Sequence, residues 1–147
     1  MLFISFTFSP CSDAAVEEVI KRPWPPQSEV KIITAVEIPM MAGMGLEPWP
    51  VNYFEDLERS VREAATTVIN NALRRLKEAS DKSLKMSHAI LGGPPSQAIV
   101  EEAQSWGADL ILMGCRGLGV WNRLLLGSVS NSVVHHAPCS VEIVRTA

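Results

Sequence analysis

Short apolar runs alternate along the chain with segments whose apolar residues recur every three or four positions. That alternation predicts a parallel sheet covered by helices on both faces. The runs lie at residues 2–8, 29–37, 84–91, 110–113 and 140–144. The first helical pattern opens near Ser12 and Asp13, both good caps, sets Val16, Val19 and Ile20 on one face, and stops at Pro23. A second, over residues 51–79, repeats Leu57, Val61, Ala64, Val68, Ala72 and Leu76, a core stripe with charged residues opposite. The third, residues 96–106, is read as capped by Ser96 and stopped by Gly107, and the fourth, residues 128–136, ends before Pro138. The expected fold is therefore α/β, with five strands, four helices and no internal repeat, in a single domain over residues 1–147.

Two connections stand out. Pro23-Trp24-Pro25-Pro26 reads as a rigid turn, and residues 38–50, with Met40, Met41 and Met44 among glycines and prolines, read as a long irregular loop. That loop is either a variable surface segment or a lid whose methionines pack over an adenine or a partner.

Composition narrows the classes. A hydrophobic content of 47% can fill a core, while a net charge of −3 and a pI of about 5.6 give no basic surplus for nucleic acid or an anionic membrane. The opening run has no basic residue ahead of it and is too short to span a bilayer, so it reads as a buried strand. Cys11, Cys115 and Cys139 are widely separated and fit no metal-ligand or disulfide spacing, which points to reduced thiols in a cytoplasmic protein.

The candidate chemistry lies after the fourth apolar run. Gly114-Cys115-Arg116-Gly117 follows it directly, and Gly127-Ser128-Val129-Ser130 heads the fourth helix. A buried strand, a glycine turn and a helix start make a phosphate-binding arrangement, because unpaired amides and the helix dipole both favour an anion. Gly114 and Gly117 can take positive φ and let a ligand approach the backbone, and Gly127, Ser128 and Val129 are expected to offer amides. The plainer alternative is a tight turn and helix start with no ligand. No Gly-Lys-Ser/Thr loop is present, and Gly117-Leu118-Gly119 lacks the third glycine of a dinucleotide fingerprint.

The spacing Gly-x2-Gly-x9-Gly-Ser resembles the nucleotide signature of the universal stress protein family, in its ATP-binding branch. The stretches around Ala98 to Ala103, Trp106 to Gly114 and His136 to Val141 are similar to the family as well. The resemblance implies a Rossmann-like sheet, akin to the adenine nucleotide alpha hydrolases, in strand order 3-2-1-4-5, with ligand at the switch between the first and fourth strands. It implies ATP, with Mg or Mn on the phosphates, held by Gly114, Gly117, Gly127 and Ser128 and completed by Val129 and Ser130. Val36 would flank adenine, and Met113 and Arg116 would line the site. The final strand, Ser140 to Val144, would lie at an apolar sheet edge, which is either covered by a twofold homodimer, as the resemblance also implies, or blunted by Arg145 near the C-terminus. The resemblance further implies a role as a nucleotide-dependent sensor or regulatory module in stress response.

One departure matters. The family's first strand ends in Val-Asp-x-Ser, and here Phe6-Thr7-Phe8-Ser9 stands in its place, so Ser9 matches but Thr7 replaces the aspartate. A hydroxyl cannot offer a carboxylate's paired acceptors, a loss of about 1–3 kcal/mol. This keeps open a homodimeric interaction module of the same fold that binds no nucleotide.

No catalytic constellation is legible. Ser128 lacks the Gly-x-Ser-x-Gly elbow, His88 sits in a strand, His135 and His136 end a helix where imidazolium suits the dipole, and Cys115 reads as a small loop residue. Any ATP hydrolysis is expected to be slow and incidental to binding.

Overall fold

The computed structural model describes residues 2–6, 10–37, 51–79, 84–115 and 126–145. Its strands are β1 (Leu2–Phe6), β2 (Glu29–Val36), β3 (Lys85–Gly92), β4 (Leu110–Gly114) and β5 (Ser140–Val144), and its helices are α1 (Pro10–Lys21), α2 (Val51–Ala79), α3 (Pro95–Trp106) and α4 (Ser128–His136). All strand pairings are parallel, and the sheet order is β3-β2-β1-β4-β5. The long loop expected over residues 38–50 lies outside the described residues.

Strand parity decides which face each side chain supplies. On β2 and β4, Val30, Ile32 and Leu112 join Val16, Val19, Ile69 and Leu76 of α1 and α2 in one core cluster. Their neighbours Ile33, Ile111 and Met113 join Ile99, Ala103 and Val133 of α3 and α4 in the other. Each fully buried Ile, Leu or Val contributes roughly 1.5–3 kcal/mol. Central strands are therefore apolar on both sides, as in β4, whose last four residues are all buried.

Several helix starts differ from the sequence reading. α1 begins at Pro10, two residues before the expected cap, so Ser12 lies inside the first turn and is buried. α3 begins at Pro95 with Pro94 at its cap position and no side-chain cap bond, so Ser96 is helical rather than capping. In both cases a proline takes the first helical position, where its fixed φ is already suited and its missing N–H is no loss. The stop at Gly107 agrees with expectation: at φ 68° its amide donates to Gln104 O at 3.2 Å, and Ala108 N–H donates to Ala103 O at 2.9 Å.

Polar clamps tie the helices to the sheet. Arg22, just past α1, donates through Nε to Glu18 at 2.8 Å and through Nη1 to Glu142 of β5 at 2.7 Å, with Nη2 on the other Glu142 oxygen. Both carboxylates hold the Arg22 guanidinium even more firmly charged than usual. On the other face Lys31 of β2 pairs with Glu102 of α3 and lies 5.7 Å from the Trp106 ring centroid.

Candidate functional site

The C-terminal ends of β1, β2 and β4 lie side by side. Register pairs Ser5 with Met113 and Phe6 with Thr34, so β1 ends between Thr34 of β2 and Gly114 of β4, and β2 runs on two residues further to Val36. Chain direction across the sheet reverses here, since β2 follows β1 on one side and β4 flanks it on the other. A ligand crevice is expected at such a point in an open α/β sheet.

The start of α4 is docked onto the end of β4 by one carbonyl. Cys115 O accepts from Gly127 N–H at 2.9 Å and from the Ser130 hydroxyl at 3.1 Å, while Ser130 Oγ also lies 3.0 Å from Gly127 O. Cys115 N–H in turn donates to Val144 O of β5 at 3.0 Å. Gly127, at the cap position, provides no side-chain cap bond to α4, so among the described residues no side chain caps its first-turn amides.

The expected site residues do not all play the roles first assigned. Gly114 is the last residue of β4, and positive φ among the described glycines occurs at Gly93 and Gly107, so Gly114 makes no left-handed turn. Gly127 is likewise extended, with φ −63° and ψ 157°. Met113 points into the core under α3 and α4, because its parity matches Ile111, and only its main chain is at the strand end. Ser130 is buried, with its one hydroxyl proton directed at protein carbonyls, so it braces the helix start instead of facing outward. Ser128 is exposed and Val129 half-buried at the mouth of the helix. Val36 is buried, and its carbonyl accepts Gly93 N–H at 3.2 Å. Thr7, Ser9, Arg116 and Gly117 lie outside the described residues.

The main-chain role of Cys115 had no sequence signal, because any residue supplies the same amide and carbonyl. Ser130 did have one: it lies three residues before Val133, on the helix face that packs inward.

Other polar candidates fall elsewhere. Nδ1–H of His135 and of His136 donates to Asn131 O and Ser132 O at 2.7 and 2.8 Å, one turn back on α4. Cys139 is a free thiol, and burial, helped by the Asp109 charge, pushes its pKa up. Among the described residues no three His, Cys, Asp or Glu side chains gather as a metal site, and no helix is long and apolar enough to cross a membrane.

Comparison with known proteins agrees with this architecture. A universal stress protein A homolog from Coxiella burnetii is 42% identical over 81 residues, covering 53% of this chain and 54% of that protein. The chain spans about half the length of the curated relatives it matches. Among solved structures, hypothetical protein MJ0577 superposes with a TM-score of 0.84 at 22% identity, covering 99% of this chain and 96% of that one. A universal stress protein family protein from Arabidopsis thaliana with AMP bound gives 0.68 at 17% identity, covering 99% and 91%. A universal stress protein in complex with cAMP gives 0.63 at 23%, covering 99% and 97%. These likenesses establish the shared fold. The profile of the Universal stress protein family matches residues 4–145, nearly the whole sequence, and the chain belongs to that family.

Proposed function

We propose that this chain binds an adenine nucleotide, ATP, across the ends of β1, β2 and β4 and works as a nucleotide-dependent sensor or regulatory module of the cytoplasmic stress response. The observation that carries the reading is the uncapped N-terminus of α4, fixed at the sheet's reversal point by the Cys115 carbonyl. Its amides and positive dipole end suit a phosphate. Val36 and Gly114 belong to the strands on either side of β1, about 12 Å apart from two strand spacings and a two-residue offset along β2, which suits a nucleoside with phosphates at one end. The AMP and cAMP complexes of fold relatives support adenine as the base. In this reading Gly114, Gly117, Gly127, Ser128 and Val129 receive the phosphates, Arg116 lines the loop, Thr7 and Ser9 approach the nucleoside, and Mg or Mn is carried by the phosphates. No residue is assigned to catalysis.

The same reading includes a homodimer through β5. That strand is the sheet's outer edge, and its Val141, Ile143 and Val144 are only half-buried. Ser132 and His136 of α4 line a groove shared with α3, and Val133 faces the sheet. Val134 is therefore turned away from α3, toward the outer edge, where it is 44% exposed. Self-pairing would cover both Val134 and the open strand.

The test is calorimetric titration of the full chain with Mg-ATP and with AMP, alongside Gly127→Val. Micromolar ATP binding, lost in the variant, is the expected result. A stable wild-type dimer with no detectable heat would instead favour a second reading, an interaction module without nucleotide, which Thr7 in the aspartate position motivates.

A further inference from the structure

We propose that Arg22 is the residue that makes β5 compatible with a second copy of itself, by clamping Glu142 and cancelling its charge at the sheet edge. The inference rests on the self-pairing proposed above. Glu142 is the middle residue of β5, and it is the strand's one ionisable side chain. It projects to the α1 side, where Arg22 engages both its oxygens, and the pair is only about one-third exposed.

Symmetry fixes what Glu142 would meet. Antiparallel pairing of two copies of one edge strand requires a twofold axis perpendicular to the sheet, and such an axis keeps every side chain on its own face. Only residues of equal parity can then lie opposite each other. Full overlap of Ser140–Val144 sets Glu142 directly against the partner copy's identical glutamate, with Cβ atoms about 5 Å apart. Sliding the axis to Val141 or Ile143 leaves the two glutamates diagonal, about 7–8 Å apart. That is within a Debye length at physiological salt, so every plausible register brings like charges together.

Arg22 answers this locally in each protomer. Its bidentate contact occupies the carboxylate, turns it back toward α1, and supplies a compensating charge at the edge. The remaining Nε holds Glu18 on α1, so the cluster's residual negative charge lies on the helix layer and not on the paired strand. Arg145, exposed just past β5, makes no ion pair among the described residues. An unclamped glutamate would block self-pairing in the way inward-pointing edge charges do generally.

The experiment compares dimer dissociation constants by analytical ultracentrifugation of wild type, Arg22→Met, Glu142→Gln and the double variant, with circular dichroism to confirm folding. Arg22→Met is expected to dimerise about tenfold more weakly at low salt, and added salt should narrow the gap. The double variant should return to within about threefold of wild type, because it lacks the charge as well as the clamp. Arg22→Met dimerising like a dimeric wild type would overturn the proposal and leave self-pairing intact. So would a double variant as weak as Arg22→Met, since Arg22 would then act by holding α1 against β5. A wild type that stays monomeric at all concentrations would remove the self-pairing itself.

Discussion

At the scale of single residues, Ser128 and Ser130 show how position on a helix separates two identical hydroxyls. Ser128 is exposed at the mouth of α4, whereas Ser130, two residues on and on nearly the opposite side of the helix, is buried and braces the Cys115 carbonyl. Replacing Ser130 with Ala leaves that carbonyl its bond from Gly127 N–H, so the expected loss is modest, about 1 kcal/mol in urea denaturation. Nucleotide affinity should fall with it, because the helix start is less firmly placed. Cys139 carries a different prediction. Burial raises its thiol pKa in the folded chain, so as pH climbs past the ordinary thiol value the unfolded chain loses its proton first. Stability should be unaffected by this group below about pH 8.5 and should decline above it. The Cys139→Ala variant should show a shallower alkaline decline in thermal melts. The glycine-serine motif was legible because its residue types are rare in that order. The hub at Cys115 was not, since a main-chain carbonyl leaves no trace in residue identity.

Among the elements, helix ends were more legible at their stops than at their starts. Gly107 ends α3 in a left-handed conformation that closes two backbone bonds, and glycine followed by an apolar run announces that geometry. Gly107→Ala should cost about 1–2 kcal/mol, read as a lowered melting temperature, since a Cβ is disfavoured there. The starts of α1 and α3 misled because Ser12 and Ser96 look like caps, yet a proline just ahead of each already has the dihedral that a first turn needs. Lys31 was also hard to foresee. It lies on a core-facing side of β2, where a lysine would be expensive without the Glu102 carboxylate and the Trp106 ring on α3, and that pairing joins segments 71 residues apart.

For the whole molecule, the alternation of apolar runs and helical stripes was enough to read layered α/β architecture. Polar residues in β3, such as Lys85, Ser87 and His88, also mark it as less enclosed than β4. Periodicity does not say which strand neighbours which. That information resides in crossover handedness and in pairings such as Ser5 with Met113, which have no local signature. The candidate site inherits the same division: its glycines are local in sequence, but its location depends on β4 lying beside β1. One peptide links that location to the rim of the sheet. The amide of Cys115 belongs to the outer ladder through Val144, and its carbonyl anchors Gly127 and Ser130. Peeling β5 away would unseat the landing point of α4, and lifting α4 would loosen the outermost rung. In hydrogen–deuterium exchange the Cys115 and Gly127 amides should therefore open as one unit, with matching protection, so that the rim strand and the phosphate cradle share a single latch.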